Sequence, residues 1–293
     1  MFKIRKSLIL ILVVISIFVI SGCNKKDDTK QPDKTTEATA ANTQTKEPEE
    51  TKEPTSTPKP TKTPEATKDV IAKAPDADFI DLLFNADGSV SNKVKDSVEI
   101  TTIGSIPIAD DTEIGKKVAQ FPGGSNYYRA DLADYYDQLE EAFSIEIFTK
   151  FTALPESGYW GVVDNCEAGG FGSELHRVND TTGKLKFLMH LDGAYSELSA
   201  EVSLNKWYHI VMAWDGSIVS MYIDGELVDE YDSEYGYLQF TSVTSAQYLA
   251  IGACCAAPTG GQGFKGSMGI CKVYFEGLSL SQVSELNEVA REK

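Results

Sequence analysis

Apolar and polar positions along this chain alternate with a period that marks strands. Residues 207–214 (WYHIVMAW) are apolar on both alternating faces apart from His209. Successive side chains of a strand point to opposite faces, so a run apolar on both predicts a strand covered on both sides. Asp215-Gly216 and Asp224-Gly225 follow, each the dipeptide that supplies positive φ at the two central positions of a type I′ turn. Between them 218–223 reads as a second strand, and 226–231 as a third. A meander of this kind cannot bury its faces alone, which predicts a second sheet packed across it.

The same period recurs elsewhere. In residues 143–151 (FSIEIFTKF), Phe143, Ile145, Ile147 and Thr149 share one face and Ser144, Glu146, Phe148 and Lys150 the other. Residues 79–84, 98–103, 159–164, 171–175, 184–191, 247–253 and 264–275 read as further strands. The polar stretch 131–141 predicts a loop or helical turn. Leu280, Val283, Leu286 and Val289 or Ala290 fall at helical spacing, which predicts a short amphipathic C-terminal helix. Many short strands and one short helix predict an all-β, two-sheet antiparallel sandwich.

The N-terminus does not belong to that fold. Lys3, Arg5 and Lys6 precede an apolar run from Leu8 to Ile20 broken only by Ser16, the pattern of a secretory signal. A membrane helix is the alternative, but the run is shorter than the ~20 residues that a span needs. Residues 24–73 hold Pro32, Pro48, Pro54, Pro58, Pro60 and Pro64, many Thr and no aromatic residue. That composition offers too little apolar surface to offset ordering entropy and predicts a disordered, semi-extended linker. The expected organisation is a signal over 1–22, a linker over 23–73 and one domain over 74–293.

Charge narrows the function classes. The chain carries −17; residues 1–23 carry +3 and 24–73 are neutral, so 74–293 carry −20. Phosphate contacts need Lys and Arg, so nucleic acid is not an expected partner.

Several segments carry family resemblances. Ile20-Ser21-Gly22-Cys23 resembles the bacterial lipobox, which implies acylation (palmitate) of Cys23, a lipoprotein anchor and an extracytoplasmic place on the cell membrane. "W-Y-H-I-V…W-D-G-S…Y-I-D-G" over 207–225 resembles the central meander of laminin-G-like domains, of the concanavalin A-like jelly-roll class. The segment from Val118 to Tyr128, the strand 143–151 and the ending "F-K-G…V-Y-F…L-S…Q-V" are similar to that family in the same order. Residues 168–175 (AGGFGSEL) resemble the "S-G-G-Y-G-F-E-L" of laminin-G-like modules on secreted bacterial phosphoesterases, although no phosphoesterase domain follows here. The resemblance covers 74–293 and implies a jelly roll, a fold that carries lectins, adhesion modules and hydrolases alike.

No catalytic constellation emerges from the sequence. Retaining glycoside hydrolases on this fold need two neighbouring carboxylates, and an alternating Glu-x-Asp-x-x-Glu run is lacking at Glu146, Glu174 and Glu226. His176, His190 and His209 are scattered and read as structural. The pentraxins, a related sandwich, imply a Ca²⁺ site with Asp164 and Asn165 as candidate ligands, but the second ligand loop reads Cys254-Cys255-Ala256-Ala257, without acids. That departure suggests a disulfide from Cys166 to Cys254 or Cys255 in an exported domain. Free thiols are the alternative, and Cys271 is expected to be buried and unpaired.

The expectation is therefore a surface-tethered, non-enzymatic module without a cofactor, binding a glycan or cell-envelope polymer. Sugar sites pair aromatic platforms with polar hydrogen-bonders, and Tyr127, Tyr128, Tyr135, Tyr136, Tyr231, Tyr235 and Tyr237 are the candidate platforms. The alternatives are an adhesion or scaffold protein binding a surface protein, and a degenerate glycoside hydrolase.

Overall fold

The computed structural model describes residues 73–233, 236–256 and 260–293. The signal, Cys23, the linker up to residue 72 and Tyr235 lie outside the described residues. The described chain opens with β1 (Ile80–Phe84), β2 (Val90–Asn92), β3 (Thr101–Ile103), β4 (Ile108–Asp111), β5 (Lys116–Gly124) and β6 (Tyr127–Asp131). After one helical turn, α1 (Tyr136–Leu139), come β7 (Phe143–Phe151), β8 (Tyr159–Asp164), β9 (Phe171–Arg177), β10 (Thr182–Leu191) and β11 (Ala194–Ser203). The meander is β12 (Trp207–Trp214), β13 (Ile218–Ile223) and β14 (Glu226–Asp232); β15 (Tyr248–Ile251), β16 (Gly263–Tyr274) and α2 (Leu280–Arg291) complete the order. No helix among the described residues is long and apolar enough to cross a membrane.

The strands form two antiparallel sheets. One runs β3-β6-β15-β8-β9-β10-β11. The other runs β5-β16-β7-β12-β13-β14, with β4 beside β5 and β1 beside the far half of β16. Among the described residues a parallel pairing, Gly161 with Gly263, joins them. Phe143 of the second sheet lies with its ring centroid 4.2 Å from Phe171 of the first and 6.1 Å from Trp214. These rings sit in the main core between the layers.

β12 is buried at every position, as its double apolar pattern predicts. The two covers differ in kind. Ile210, Met212 and Trp214 face the other sheet. Val211 and Ala213, with Tyr222 and Tyr274, pack against Leu278, Val283 and Leu286, so α2 roofs the outer face. Ser279 starts that helix with a reciprocal capping box to Gln282. The helix buries Val283, Leu286 and Ala290 and leaves Leu280 and Val289 exposed.

The two Asp-Gly turns are not alike. Asp224 and Gly225 take φ of 56° and 86°, the type I′ pattern. At the earlier turn only Gly216 is left-handed, at 92°. There the Asp215 carboxylate accepts from the amides of Ser217 and Ile218 at 2.9 and 2.7 Å, so the side chain shapes a longer turn. The predicted strand 98–103 shortens to β3. Its earlier half instead ties to β2, where the Asn92 side-chain amide donates to the Val98 carbonyl oxygen.

Candidate functional site

The sandwich opens a cleft of 570 Å³ at one end, where the β7–β8 loop, the β9–β10 turn and the β11–β12 turn converge. That volume is in the range of small-molecule sites. Its lining includes Thr152, Glu156, Ser157, Trp160, Arg177, Asp180 and Lys265. Trp160 is half-buried on β8 and presents part of its indole to the cleft. The Lys265 ammonium lies 5.8 Å from that ring's centroid. Arg177 donates to Asp180 at 2.7 Å. Leu154 lies at the base of the lining, nearly fully buried.

Backbone bonds fix these loops to the strands. The Thr152 amide donates to the Lys265 carbonyl oxygen at 3.0 Å, Leu204 to Thr181 at 3.0 Å, and Asn205 to Phe151 at 2.8 Å. The cleft therefore combines an aromatic face with both charges and hydroxyls on a preorganised frame. That combination can stack a sugar ring and hydrogen-bond its hydroxyls.

Among the described residues, the tyrosines named from the sequence do not line this cleft. Tyr127 and Tyr128 are 3% and 1% exposed, between β3 and β15 on β6, and cannot present a ring to a ligand. Tyr135 packs on Phe79 at 4.5 Å, and Tyr136 stacks on Phe240 at 3.9 Å. Tyr231 is part of the core margin. Tyr237 is 58% exposed, and its hydroxyl donates to Glu140 at 3.3 Å. For Tyr127 and Tyr128 burial by neighbouring strands is the reason, because a tyrosine followed by polar residues reads as a rim residue until its sheet neighbours are known. Trp160, which the sequence reading passed over, had one signal: a large aromatic opening a strand just after the Pro155-Glu156-Ser157-Gly158 turn.

Asp164 and Asn165 are fully buried at the end of β8. Asp164 Oδ1 accepts from the Cys166 amide at 2.5 Å, and Asn165 donates to the Tyr248 carbonyl oxygen at 2.8 Å. Asn165 Oδ1 has no partner among the described residues, and the Asp164 carboxyl lies against the backbone and thiol of Cys255. These residues do not fit Ca²⁺, which takes six to eight oxygens. The side chains beside Asp164 are thiols, and among the described residues no three His, Cys, Asp or Glu gather as a metal site.

Burial pushes the Asp164 carboxyl up to about 7, helped by the Glu174 charge and opposed by the Cys166 amide. Its unfolded value is 3.8. The folded state thus keeps a proton that the unfolded state loses, and stability from this group is complete below about pH 4 and falls as pH rises to about 7. The expected loss is ~4 kcal/mol across that window at 1.36 kcal/mol per unit. Asp164→Asn should flatten this part of the stability–pH curve measured by denaturant melts. A slope unchanged in the variant would show that Asp164 is not its source.

Cys166, Cys254, Cys255 and Cys271 are free thiols in the structure, so the Cys166 disulfide is not formed in it. Cys271 is fully buried in the main core. Burial pushes the Cys254 thiol up to about 12 and raises those of Cys166, Cys255 and Cys271 as well. The thiolate is the reactive form, so these are poor nucleophiles at neutral pH. Iodoacetamide at pH 8 should label the native domain slowly and take all four after denaturation without reductant. Only two tags at these cysteines before reduction would establish a disulfide.

His176 donates or accepts at Glu174 (2.8 Å), and His209 is fully buried 3.2 Å from Glu146. Both are held within the strand framework and away from the cleft lining.

A model of the concanavalin A-like lectin/glucanases superfamily, of the laminin-G type, matches residues 122–284. No curated protein matches the sequence. Among solved structures, the binding domain of botulinum neurotoxin DC in complex with SialylT is similar at 12% identity and TM-score 0.52, covering 73% of this chain and 52% of that one. The same binding domain in complex with rat synaptotagmin II is similar at 10% identity and TM-score 0.55, covering 72% and 51%. The receptor-binding domain of the botulinum neurotoxin C/D mosaic serotype gives 13% and 0.55, covering 72% and 51%. This chain thus spans about half the length of these neighbours, and the likeness is one of fold.

Proposed function

This chain belongs to the concanavalin A-like lectin/glucanase superfamily, and from that premise we propose that it is a non-enzymatic binding module for a glycan of the cell envelope or its surroundings. The observation that carries this reading is the cleft at Trp160, where an indole face, two hydroxyls and four charged groups converge on loops bonded to the sandwich. The fold neighbours, which are binding domains, support the same class of function, and one of them is bound to SialylT. Another is bound to rat synaptotagmin II, which supports a protein receptor as the second reading.

The place of action is part of the proposal. The leader and Ile20-Ser21-Gly22-Cys23 support a lipid anchor at Cys23, with the linker over 23–73 holding the domain over 74–293 away from the membrane. Binding is proposed to need no metal.

A screen of the full chain against glycans and cell-wall fractions, with and without EDTA, tests this. Saturable binding should survive EDTA. Trp160→Ala should weaken it at least roughly tenfold, as expected for an aromatic anchor. Binding that Trp160→Ala leaves intact would place the ligand elsewhere. Binding to a protein and to no glycan would favour the second reading.

A further inference from the structure

A second concavity, distant in kind from the first, lies on the outer side of the α2-covered sheet. β16 pairs with β5 up to Met268–Ala119 and with β1 from Lys272–Asp81. Between those points neither strand pairs with Gly269, Ile270 or Cys271 on that side. β5 leaves to pair with β4, and β1 leaves to pair with β2. The diverging strands leave a wedge-shaped notch of 330 Å³.

Its chemistry contrasts with that of the domain. Residues 74–293 carry −20, and of the 27 basic residues in the chain 3 lie in 1–23 and 10 in 24–73, which leaves 14 for the domain. Four of those, Lys93, Lys116, Lys117 and Lys272, converge on this notch, against Asp81 as the one carboxylate in its lining: a net +3. Asp110 and Glu146, outside the lining, accept from Lys117 at 2.8 Å and Lys272 at 3.2 Å. Lys93 bonds Asp81 at 3.2 Å, and Lys116 caps the end of α2 through the Ala290 carbonyl oxygen at 2.8 Å. Lys116 is spent on the carbonyl oxygens of Val289, Ala290 and Glu292 and serves the notch by its charge; Lys93 and Lys117 each hold one carboxylate and, with three donors apiece, keep a donor to offer. The floor is apolar: Leu82 and Phe84 are buried there, while Leu83 and Val289 show 40% and 45% of their surface.

We propose that this notch is a second binding site, for a small anionic amphiphile of the alkyl phosphate class. The phosphate is held by the lysines, and its alkyl chain lies on Leu83, Ile270 and Val289. Charge complementarity selects the head group: in a domain of −20 an anion is repelled over most of the surface, and the four lysines keep this wedge positive, at +1, even with their partners Asp81, Asp110 and Glu146 counted. The apolar floor selects the chain, and a volume at the lower end of small-molecule sites limits it to a short one.

The test is calorimetric titration of the full chain with octyl phosphate below its micelle concentration, alongside octyl glucoside and inorganic phosphate. Octyl phosphate should bind saturably at one site, and more weakly as salt rises. Octyl glucoside and inorganic phosphate should bind at least tenfold more weakly. The double variant Lys93→Glu/Lys117→Glu should lose at least tenfold in affinity, and its thermal melt reports that it folds. Leu83→Asp, at an exposed rim position, should also weaken binding, whereas Trp160→Ala should leave it unchanged. Equal binding of octyl glucoside, or of inorganic phosphate, would overturn the ligand class. Undiminished binding by the lysine double variant would overturn the site.

Discussion

Glu146→Ala is expected to destabilise the domain by about 3–5 kcal/mol, the range found when one partner of a buried charge pair is removed. Glu146 is a fully buried carboxylate in the middle of β7. Its Oε1 faces His209 Nε2 at 3.2 Å, and its Oε2 takes the Tyr274 hydroxyl at 2.5 Å and the Lys272 ammonium at 3.2 Å. Truncation strands the fully buried His209 and Tyr274 and takes the carboxylate away from Lys272. Burial alone would raise the Glu146 carboxyl, but His209, Lys272 and Tyr274 outweigh it and hold the group below 4.5. Its folded value is depressed, so its stabilisation is present above the ordinary carboxylate range and lost as pH falls through the folded value. This is opposite in sign to Asp164. A urea melt of the variant at pH 7 reads the loss directly; a midpoint within 1 kcal/mol of the parent would show that the cluster is dispensable.

Removal of α2 is expected to be more damaging still. A chain stopped after Glu276 loses the Leu278, Val283 and Leu286 side chains that cover Val211, Ala213, Tyr222 and Tyr274. It also loses the roof over the Glu146 cluster. Apolar burial is worth roughly 25 cal/mol per Å², and the exposed face would span the central strands of a sheet. The shortened chain should accumulate as aggregate or bind a hydrophobic dye such as ANS. The graded version is Leu286→Ala, expected to cost about 2–5 kcal/mol. A shortened chain that stays soluble, with an unchanged melting temperature, would mean that the helix is an ornament.

These two results bear on what the sequence made legible. The double-sided burial of β12 was readable from WYHIVMAW alone, and β7 and β10 from their alternation, because a strand's two faces are written in adjacent letters. The identity of each cover was not readable. The alternation of β7 places Glu146 and Phe148 on a polar-looking face, yet Glu146 meets His209 and Phe148 stacks on Trp207 at 5.0 Å. That face becomes interior only when α2 and β12 arrive from far along the chain. β11 was missed because AYSELSAEVS buries only Leu198 and Val202, too sparse a pattern to show. Its hairpin signal, Asp192-Gly193 with φ of 49° and 86°, was in view. For the cleft, composition pointed to tyrosines because they are many. The aromatic that faces it is one of three tryptophans, selected by the meeting of three turns that are distant in sequence.

The outer strand of the meander has one more consequence. β14 ends its sheet, and a free strand end offers unpaired amides and carbonyls to any neighbour. Here Met221 pairs with Asp229 and Tyr222 with Leu227, so Val228 is left over as a bulge. Such a bulge bends the strand and deepens its twist. Glu226, Asp229, Glu230 and Asp232 flank the bend with four carboxylates. Two copies brought side by side therefore meet a crooked, like-charged border rather than a straight template, and Leu227 and Val228 can remain exposed without seeding fibrils. Edge-to-edge pairing of copies along β14 is thereby opposed by both geometry and charge.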